Sequence, residues 1–231
     1  MNSYSYSLSL PLTNLDESET IERLVAPFAE TLEFSAKQVI FNLTDSLSGI
    51  YYIKSGKTSH FISDGSNEKL IYQLSTGAIF GNLAPDKLHG SDMMVVANEK
   101  TIVYKISREN YLKLLNENTG FAATIISFVC MVNQYMIEEI DNLSFNSCKT
   151  RLMRIYCSQT DTSKLSDDGK WYFLNGKLTH NELAAIVGSA RVTISKLINE
   201  LCEDGFLRII NRRTQISIDA YNKFIAAGHI K

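Results

Sequence analysis

The sequence has few of the residues that build catalytic or metal centres. Its four histidines are scattered, and its four cysteines form no C-x-x-C pair: Cys130, Cys148, Cys157 and Cys202. It contains no G-x-S-x-G, G-x-G-x-x-G, Walker or H-E-x-x-H motif. These absences lead us to expect no catalytic residue, no metal site and no bound cofactor, and therefore not an enzyme.

Proline and long apolar runs are also scarce. With 3 prolines, 12 glycines and 45% hydrophobic residues, the composition excludes a disordered or collagen-like chain. The longest nearly uncharged apolar stretch, residues 121–132, is shorter than the roughly 18 to 20 residues that span a bilayer. The first six residues lack the positive charge of a signal peptide. We therefore expect a cytoplasmic protein without a membrane helix, whose cysteines stay reduced.

Charge is distributed unevenly along the 231 residues. Residues 1–144 contain 10 Lys and Arg against 17 Asp and Glu, whereas residues 145–231 contain 13 against 8. The length suits two domains of roughly 100 to 150 residues each. A basic C-terminal domain attached to an acidic domain is typical of a nucleic-acid reader, although a solvated basic face gives the same count.

The N-terminal half shows the short alternating runs of β-strands. It has runs of five to seven residues, separated by turn residues, at 50–54, 57–63, 68–74, 93–97 and 101–106. This spacing predicts a small antiparallel barrel or sandwich, preceded by a short helix that carries Leu24, Val25 and Phe28. Three glycines lie at corners where the backbone needs a positive φ or a close approach: Gly56, Gly77 and Gly81.

A long helix is predicted from Gly120 to about Leu143. Apolar residues recur on it at alternating spacings of four and three, a heptad pattern that Glu139 interrupts. Such a face must be buried within its own domain, against a second copy of the chain, or both. The candidate dimer contacts are Ile125, Val129, Val132, Met136 and Leu143.

The most specific pattern begins near Leu178. Thr179 and Glu182 form a capping box, which opens a helix. Ala184 is small where two helices would cross closely, and Gly188 suits a turn with an unusual backbone. This pattern predicts a helix-turn-helix.

The second helix of this motif is expected to run from about Ala190 to Asp204, with Ser189 as its N-cap. One face is apolar, and the opposite face carries no acidic residue before Glu200. Residues 206–218 then read as a β-hairpin with a basic tip. The pattern predicts a winged helix-turn-helix that binds double-stranded DNA through these candidate contacts: Thr179, Arg191, Val192, Thr193, Ser195, Lys196, Asn199, Arg212 and Arg213.

These segments together resemble one protein family. Residues 51–57, 64–72 and 77–82 are similar to the effector-binding jelly roll of the Crp/Fnr transcription regulators, and the whole resemblance covers about residues 20–220. It implies an α+β fold with an N-terminal cyclic-nucleotide-binding-like β jelly roll, a long dimerisation helix and a C-terminal winged helix-turn-helix. The corresponding domains are residues 1–118, 119–144 and 145–231. The resemblance also implies a homodimer on an inverted-repeat operator, with RNA polymerase as a further partner.

One position of the second helix departs from the family pattern. The glutamate that is common in the family at the position of Val192 would accept a hydrogen bond from cytosine, whereas valine packs on a thymine methyl group. We therefore expect A·T-rich half-sites, with Ser195 hydrogen-bonding a neighbouring base and Lys196 acting on phosphates. Valine at this position is also similar to the halorespiration regulators of the superfamily, whose effectors are halogenated phenols.

The barrel departs from the cyclic-nucleotide binders of the family. Their phosphate cassette is F-G-E-L followed by an Arg-Ser pair, but residues 80–83 here read F-G-N-L and residues 91–92 read S-D. An aspartate at that point repels a cyclic phosphate instead of pairing with it. We expect a small organic effector other than cyclic AMP, bound near these residues: Tyr72, Phe80, Gly81, Asn82, Leu83, Lys87, Met93 and Met94.

Three other accounts fit the same residues. The barrel interior serves equally well as ordinary core with no effector bound. A protein of this fold that binds a ligand or assembles without binding DNA would have a similar sequence. The third account is a thiol-based redox switch through Cys130 or Cys148.

Overall fold

The computed structural model describes residues 15–42, 49–81 and 93–228 of the chain. Their contacts separate two compact units, with most of residues 15–139 in the first and residues 140–228 in the second. The first unit begins with helix α1 (Leu15–Val25) and a 3-10 turn (Ala26–Phe28). It continues through strands β1 (Ala29–Phe34), β2 (Val39–Asn42), β3 (Gly49–Ser55), β4 (Lys57–Ser63), β5 (Glu68–Ser75), β6 (Ile79–Gly81), β7 (Met93–Ala97) and β8 (Thr101–Ser107) to helices α2 (Arg108–Glu117) and α3 (Thr119–Phe145).

The strands form two four-stranded sheets, with the orders β1-β8-β3-β6 and β2-β7-β4-β5. The pairing is antiparallel between β3 and β8, where Tyr52 lies opposite Tyr104, and between β4 and β7, where His60 lies opposite Val95. One apolar cluster joins the two sheets through Tyr51, Ile53, Leu74, Phe80, Val95 and Val103. The antiparallel sandwich predicted from the alternating runs is therefore confirmed, and so is the β-rich N-terminal domain that the family resemblance implies.

Gly56 makes the tight connection between β3 and β4. Its φ of 103° is one that L side chains rarely adopt. A Cβ at this position would lie 2.6 Å from Thr101 Oγ1 and 2.8 Å from Thr101 Cα. Because the backbone of β8 passes so close, this corner requires the glycine that the sequence pattern indicated.

Two polar residues define the start of α2 and the boundary between α2 and α3. Ser107 Oγ accepts a hydrogen bond from the Asn110 amide at 3.2 Å and caps α2. Asn118 ends α2, and its Oδ1 accepts a hydrogen bond from the Phe121 amide at 2.8 Å at the start of α3. Phe121 is fully buried in the core of the first unit, which fixes the entry of α3 onto the sheets.

The predicted dimer contacts on α3 differ in how much of their surface the single chain leaves exposed. Ile125 is only 6% exposed and packs in the chain's own core, and Val132 packs against the cluster between the two sheets. Ile125 therefore has little surface left for a second chain, and Val132 keeps only part of its own. Val129 and Leu143 stay 48% and 41% exposed, and Met136 is half-buried.

A second apolar stripe of α3 lies beside the predicted one. Ile126 and Ile140 are 64% and 63% exposed, and Asn133 between them is exposed as well. The heptad spacing fits both stripes, because apolar residues occupy neighbouring positions along the helix. The sheets take the stripe that continues from Phe121 through Ile125, which leaves the other one on the surface.

Helix α3 is also long and apolar enough, by length and composition alone, to span a membrane. Only 17% of its most apolar stretch is buried within the chain. The sequence-based expectation was that no such helix exists, because the apolar run 121–132 is short. That run ends at Asn133 and Gln134, two uncharged polar residues that a helix of this length tolerates. An interface helix of an oligomer has the same composition, since its seam is apolar and exposed in the single chain.

The second unit holds α4 (Cys148–Ser158), β9 (Thr160–Leu165), β10 (Trp171–Leu174), α5 (His180–Val187), α6 (Arg191–Glu203), β11 (Leu207–Ile210), β12 (Arg213–Ser217) and α7 (Ile218–Ala226). Its strands form one sheet in the order β11-β12-β10-β9. The helices and the sheet share a core of fully buried side chains, among them Leu152, Leu183, Ile194, Leu201, Leu207 and Ile216. This unit is the winged helix-turn-helix that the sequence predicts.

Two arginines of α4 hold the helix ends of this unit together. Arg151 Nε donates a hydrogen bond to the carbonyl of Val187, at the end of α5, at 3.0 Å. Its Nη1 donates to the carbonyl of Asn146, just beyond α3, at 2.7 Å. Arg154 Nη1 donates to Asn142 Oδ1 on α3 at 2.8 Å. Cationic donors suit these positions because the last carbonyls of a helix carry partial negative charge.

Candidate functional site

The helix-turn-helix is built by local hydrogen bonds at both ends of α5. Thr179 Oγ1 accepts a hydrogen bond from the Glu182 amide at 3.2 Å, and the Glu182 carboxylate accepts one from the Thr179 amide at 2.7 Å. Gly188 follows α5 in the left-handed region with φ 70°, and its amide donates to the carbonyl of Ala184 at 2.9 Å. The predicted capping box and turn are therefore both present.

Helix α6 starts at a different cap from the expected one. Ala190, rather than Ser189, is the N-cap residue, and it makes no side-chain cap hydrogen bond. The buried side of α6 consists of Ile194, Ile198 and Leu201, as the apolar pattern predicts. The first turn of α6 is thus not held by a cap of its own.

The other side of α6 is open to solvent over its first turns. Val192 is 65% exposed, and Ser195 is half-buried. The remaining candidate DNA contacts on this helix are all exposed: Arg191, Thr193, Lys196 and Asn199. The first two turns of this face therefore present cationic and small side chains with no acidic residue among them.

Ser195 differs from its neighbours because its hydroxyl is already engaged. The Oγ atom donates a hydrogen bond to the carbonyl of Arg191 at 3.1 Å and lies 2.8 Å from His180 Nδ1. His180 is the first residue of α5. His180 could not be recognised as a site residue from the sequence, because one histidine beside a capping threonine forms no known motif.

The wing is the hairpin of β11 and β12, with Asn211 and Arg212 as its two turn residues. Their φ values are 51° and 62°, which belong to the left-handed region. A two-residue hairpin turn requires such values and favours Asn followed by Gly. Arg212 occupies the glycine position, and both Arg212 and Arg213 are exposed. The hairpin tip thus carries two cations at a cost in backbone strain.

A cleft of about 1140 Å³ lies within the second unit, between the start of α5, α6 and the wing. Apolar residues such as Tyr156 and Ile198 contribute to its lining. Among the described residues that line it, none is acidic and five are cationic: Lys164, Lys177, Arg191, Arg212 and Arg213. Lys164 forms an ion pair with Asp161 at 2.8 Å, so the positive charge of the cleft comes mainly from the other four. A concave surface with charge of one sign attracts a polyanion, and phosphates are the ligand that this arrangement suits.

The interior of the N-terminal jelly roll of β1 to β8, called the β-roll below, contains a group of aromatic rings. Phe80 is buried, and its ring stacks on that of Tyr51 with centroids 5.1 Å apart. The ring of His60 lies 5.3 Å from that of Phe80 and 4.7 Å from that of Tyr72. Tyr72 in turn meets Tyr135 of α3 at 6.5 Å. Two predicted pocket residues, Tyr72 and Phe80, are therefore together, and His60 and Tyr135 join them without a sequence signal.

The polar groups in this interior are uncharged. His60 Nε2 lies 3.1 Å from Thr58 Oγ1, and both residues are buried. Burial lowers the pKa of His60 to about 3, so the ring is neutral at pH 7. Burial also raises the pKa of the Tyr72 phenol. The interior therefore suits an aromatic or apolar group better than an anion.

The other predicted pocket residues have different outcomes. Gly81 ends β6 with a φ of 120°, and Met93 and Met94 are half-buried on β7. Asn82, Leu83 and Lys87 lie outside the described residues.

The four cysteines are unpaired thiols. Cys130 is exposed on α3, and Cys148 and Cys202 are half-buried. Burial raises the pKa of Cys157 to about 12, so this thiol stays protonated at neutral pH. Burial raises the pKa of Cys202 as well. These two thiols are therefore poor redox sensors.

Two family models match the chain. A model described as "Cyclic nucleotide-binding domain" matches residues 31–118, and one described as "Crp-like helix-turn-helix domain" matches residues 150–225. The chain belongs to the Crp/Fnr family. This Crp/Fnr protein is a transcription regulator with a helix-turn-helix DNA-binding domain.

Individual relatives of this Crp/Fnr regulator cover most of its length. The "Cyclic AMP receptor protein" of Thermus thermophilus is 27% identical over 190 residues, which are 82% of this chain and 84% of the relative. The "cAMP-activated global transcriptional regulator Vfr" of Pseudomonas aeruginosa is 22% identical over 86% of this chain and 94% of that protein. A solved CooA mutant from Carboxydothermus hydrogenoformans has a TM-score of 0.69 at 20% identity, over 95% of this chain and 98% of that one. This last likeness confirms the fold.

Proposed function

We propose that this regulator is a homodimer that binds a specific operator and is controlled by a small organic effector, other than cyclic AMP, in its N-terminal β-roll. The observation that carries the DNA-binding part is the cation-lined cleft beside the exposed first turns of α6. The proposed domains are the effector domain 1–118, the dimerisation helix 119–144 and the DNA-binding domain 145–231. We place the protein in the cytoplasm, where it would also meet RNA polymerase.

The exposed stripe of α3 supports the homodimer. Its residues alternate at spacings of three and four: Ile126, Val129, Asn133, Met136, Ile140 and Leu143. Its two isoleucines are 64% and 63% exposed in the single chain, which leaves apolar area for a second copy. Asn133 falls on the same seam position as the isoleucines, where one asparagine fixes the register of a two-stranded parallel coiled coil. This seam has no acidic residue, unlike the stripe that contains Glu139.

The effector proposal rests on the aromatic group inside the β-roll. The rings of His60, Tyr72, Phe80 and Tyr135 pack against one another and bring uncharged polar atoms into the same interior. Such a lining recognises an aromatic compound with one or two hydrogen-bonding groups. The halogenated phenols suggested by the resemblance at Val192 belong to this class. Effector contact with Tyr135 would reach α3 directly.

The proposal that the effector is not cyclic AMP can be tested directly. The cassette acid is replaced by Asn82, and the Arg-Ser pair is replaced by Ser91 and Asp92. Without a guanidinium partner the cyclic phosphate would lose a charge-assisted pair and meet a carboxylate. We expect isothermal calorimetry to detect no binding of cyclic AMP at micromolar to submillimolar concentrations. A micromolar dissociation constant would show that another group holds the phosphate.

The wing gives a test of DNA binding itself. Replacing Arg212 with glycine relieves a left-handed non-glycine residue, so the free energy of unfolding should rise by about 1 kcal/mol. The same change removes one phosphate contact, so the logarithmic slope of duplex affinity against salt should flatten by up to about one unit. Filter binding to random duplex at two salt concentrations measures the slope, and urea unfolding measures the stability.

The matched control is Asn211→Gly, which places a glycine at the neighbouring left-handed residue without removing a charge. Because asparagine is already favoured at this position, the control should change the stability little and keep the wild-type salt slope. If Arg212→Gly binds duplex as the wild type does at both salts, Arg212 does not contact phosphate. If the wild type itself shows no salt-dependent binding, the rival account of a ligand-binding or assembly protein that does not bind DNA is correct.

A further inference from the structure

The hydroxyl of Ser195 lies within hydrogen-bond distance of two groups on the motif. The carbonyl of Arg191, at 3.1 Å, can only accept, and His180 Nδ1, at 2.8 Å, donates or accepts according to the tautomer of the ring. Ser195 has one hydroxyl hydrogen, so both contacts are hydrogen bonds at the same time only when Ser195 donates to the carbonyl and Nδ1 donates to Ser195. The arrangement that satisfies both contacts therefore places the imidazole hydrogen on Nδ1.

This bond connects the two helices of the motif near a helix start that has no side-chain cap. Ala190 provides no side-chain cap for α6. The chain of hydrogen bonds from His180 through Ser195 to the Arg191 carbonyl instead ties the first turn of α6 to the first residue of α5. A serine hydroxyl that bonds to the carbonyl four residues earlier often bends the helix. A partner that fixes the position of this hydroxyl therefore also fixes the local course of the helix.

The same bond limits what Ser195 can do at a base. A base acceptor such as thymine O4 or guanine N7 needs the hydroxyl hydrogen, which is already used. Ser195 is half-buried, whereas Arg191 and Val192 beside it are exposed. Its place in the fold is that of a residue between the two helices, facing the partner helix instead of the solvent.

We propose that His180 is a positioning residue of the DNA interface, which holds Ser195 against the Arg191 carbonyl so that Ser195 orients Arg191 and Val192 without reading a base itself. This inference rests on the proposed recognition of DNA by α6 and revises the expected base contact of Ser195. In this arrangement Arg191 and Val192 select the bases, whereas His180 and Ser195 hold the start of α6 in position.

A double-mutant cycle tests the pair. His180→Ala and Ser195→Ala should each weaken operator binding by roughly 3- to 10-fold, the range for one lost hydrogen bond, and the double variant should be no weaker than the worse single variant. The preferred bases selected from random duplex should stay the same in all three. His180→Asn, whose side-chain amide can donate to Ser195, should recover most of the affinity. Asn181→Ala, at the next residue, is the matched control and should add independently to Ser195→Ala.

Nitrogen NMR of the imidazole gives a readout that does not depend on DNA. His180 should show the Nδ1-protonated form in the wild type and lose that preference in Ser195→Ala. Relaxed selectivity at one base position in Ser195→Ala alone, or full additivity of the two variants, would overturn the proposal. If the wild type selects no operator while the NMR signature persists, the proposed function fails and the hydrogen bond remains.

Discussion

Ile140→Asp should convert the proposed dimer into a folded monomer that binds its operator much more weakly. Ile140 is 63% exposed in the single chain, so its replacement removes little packing from the fold. In a parallel pair of α3 helices, two carboxylates would meet in an apolar seam, and each uncompensated buried charge costs about 3 to 5 kcal/mol. Dimer affinity should therefore fall at least roughly 100- to 1000-fold. Light scattering at micromolar protein measures the mass, and circular dichroism checks that the helices persist.

Two controls separate the seam from the rest of α3. Ser127→Asp places the same charge on an exposed residue outside the seam and should leave the dimer intact. Val132→Asp puts a carboxylate into the cluster between the sheets and should destabilise the monomer fold itself. A dimeric Ile140→Asp protein with unchanged operator affinity would show that the two copies meet elsewhere. Loss of the dimer should also lower affinity for an inverted repeat, since the second half-site is then bound independently.

Val192→Glu should change which DNA sequence is preferred instead of weakening binding uniformly. Val192 is 65% exposed in the first turn of α6, where a glutamate carboxylate could accept a hydrogen bond from cytosine N4. Valine can only contact a thymine methyl group. The variant should favour cytosine and penalise thymine at one position of each half-site by about 1 to 3 kcal/mol, or roughly 5- to 150-fold. Half-sites should lie about 10 to 10.5 base pairs apart, or a multiple of that spacing.

Sequence selection from random duplex, on both proteins side by side, measures this preference. An acidic residue in the first turn also stabilises a helix, so folding should not confound the result. Asn199→Glu adds the same charge two turns further along the exposed face and should weaken binding to all sequences without changing the preferred one. Enrichment of one identical site by the wild type and Val192→Glu would mean that Val192 does not face the bases.

The elements with strong local signals could be predicted from the sequence. The capping box at Thr179, the left-handed turn at Gly188 and the close approach at Gly56 each depend on one or two residue types with a clear physical reason. The long helix was predictable because its apolar residues keep one period over many turns. Strands β1, β2 and β6 were not, because their short runs owe their conformation to pairing with distant strands.

The choice of stripe on α3 could not be predicted, because the helix is apolar on two adjacent faces. Ile125 and Ile126 are equivalent in hydrophobicity and in heptad spacing. Only the position of the sheets decides that the first is 6% exposed and the second 64%. The same limit applies to His60, which becomes part of an aromatic group only through the pairing of β4 with its neighbours.

The two hydrogen bonds made by Arg151 differ from one end to the other in how they respond to substitution. Both of its acceptors are backbone carbonyls, those of Val187 and Asn146, and every residue type supplies a carbonyl. Substitutions at positions 146 and 187 therefore leave the acceptors in place as long as the helix ends keep their course. The donor end depends on one guanidinium, for which a lysine cannot offer the same two-pronged geometry. This joint between α3 and the helix-turn-helix therefore depends on the side chain at position 151 but not on the side chain at position 146, whereas Val187 is constrained separately because its side chain is buried in the core.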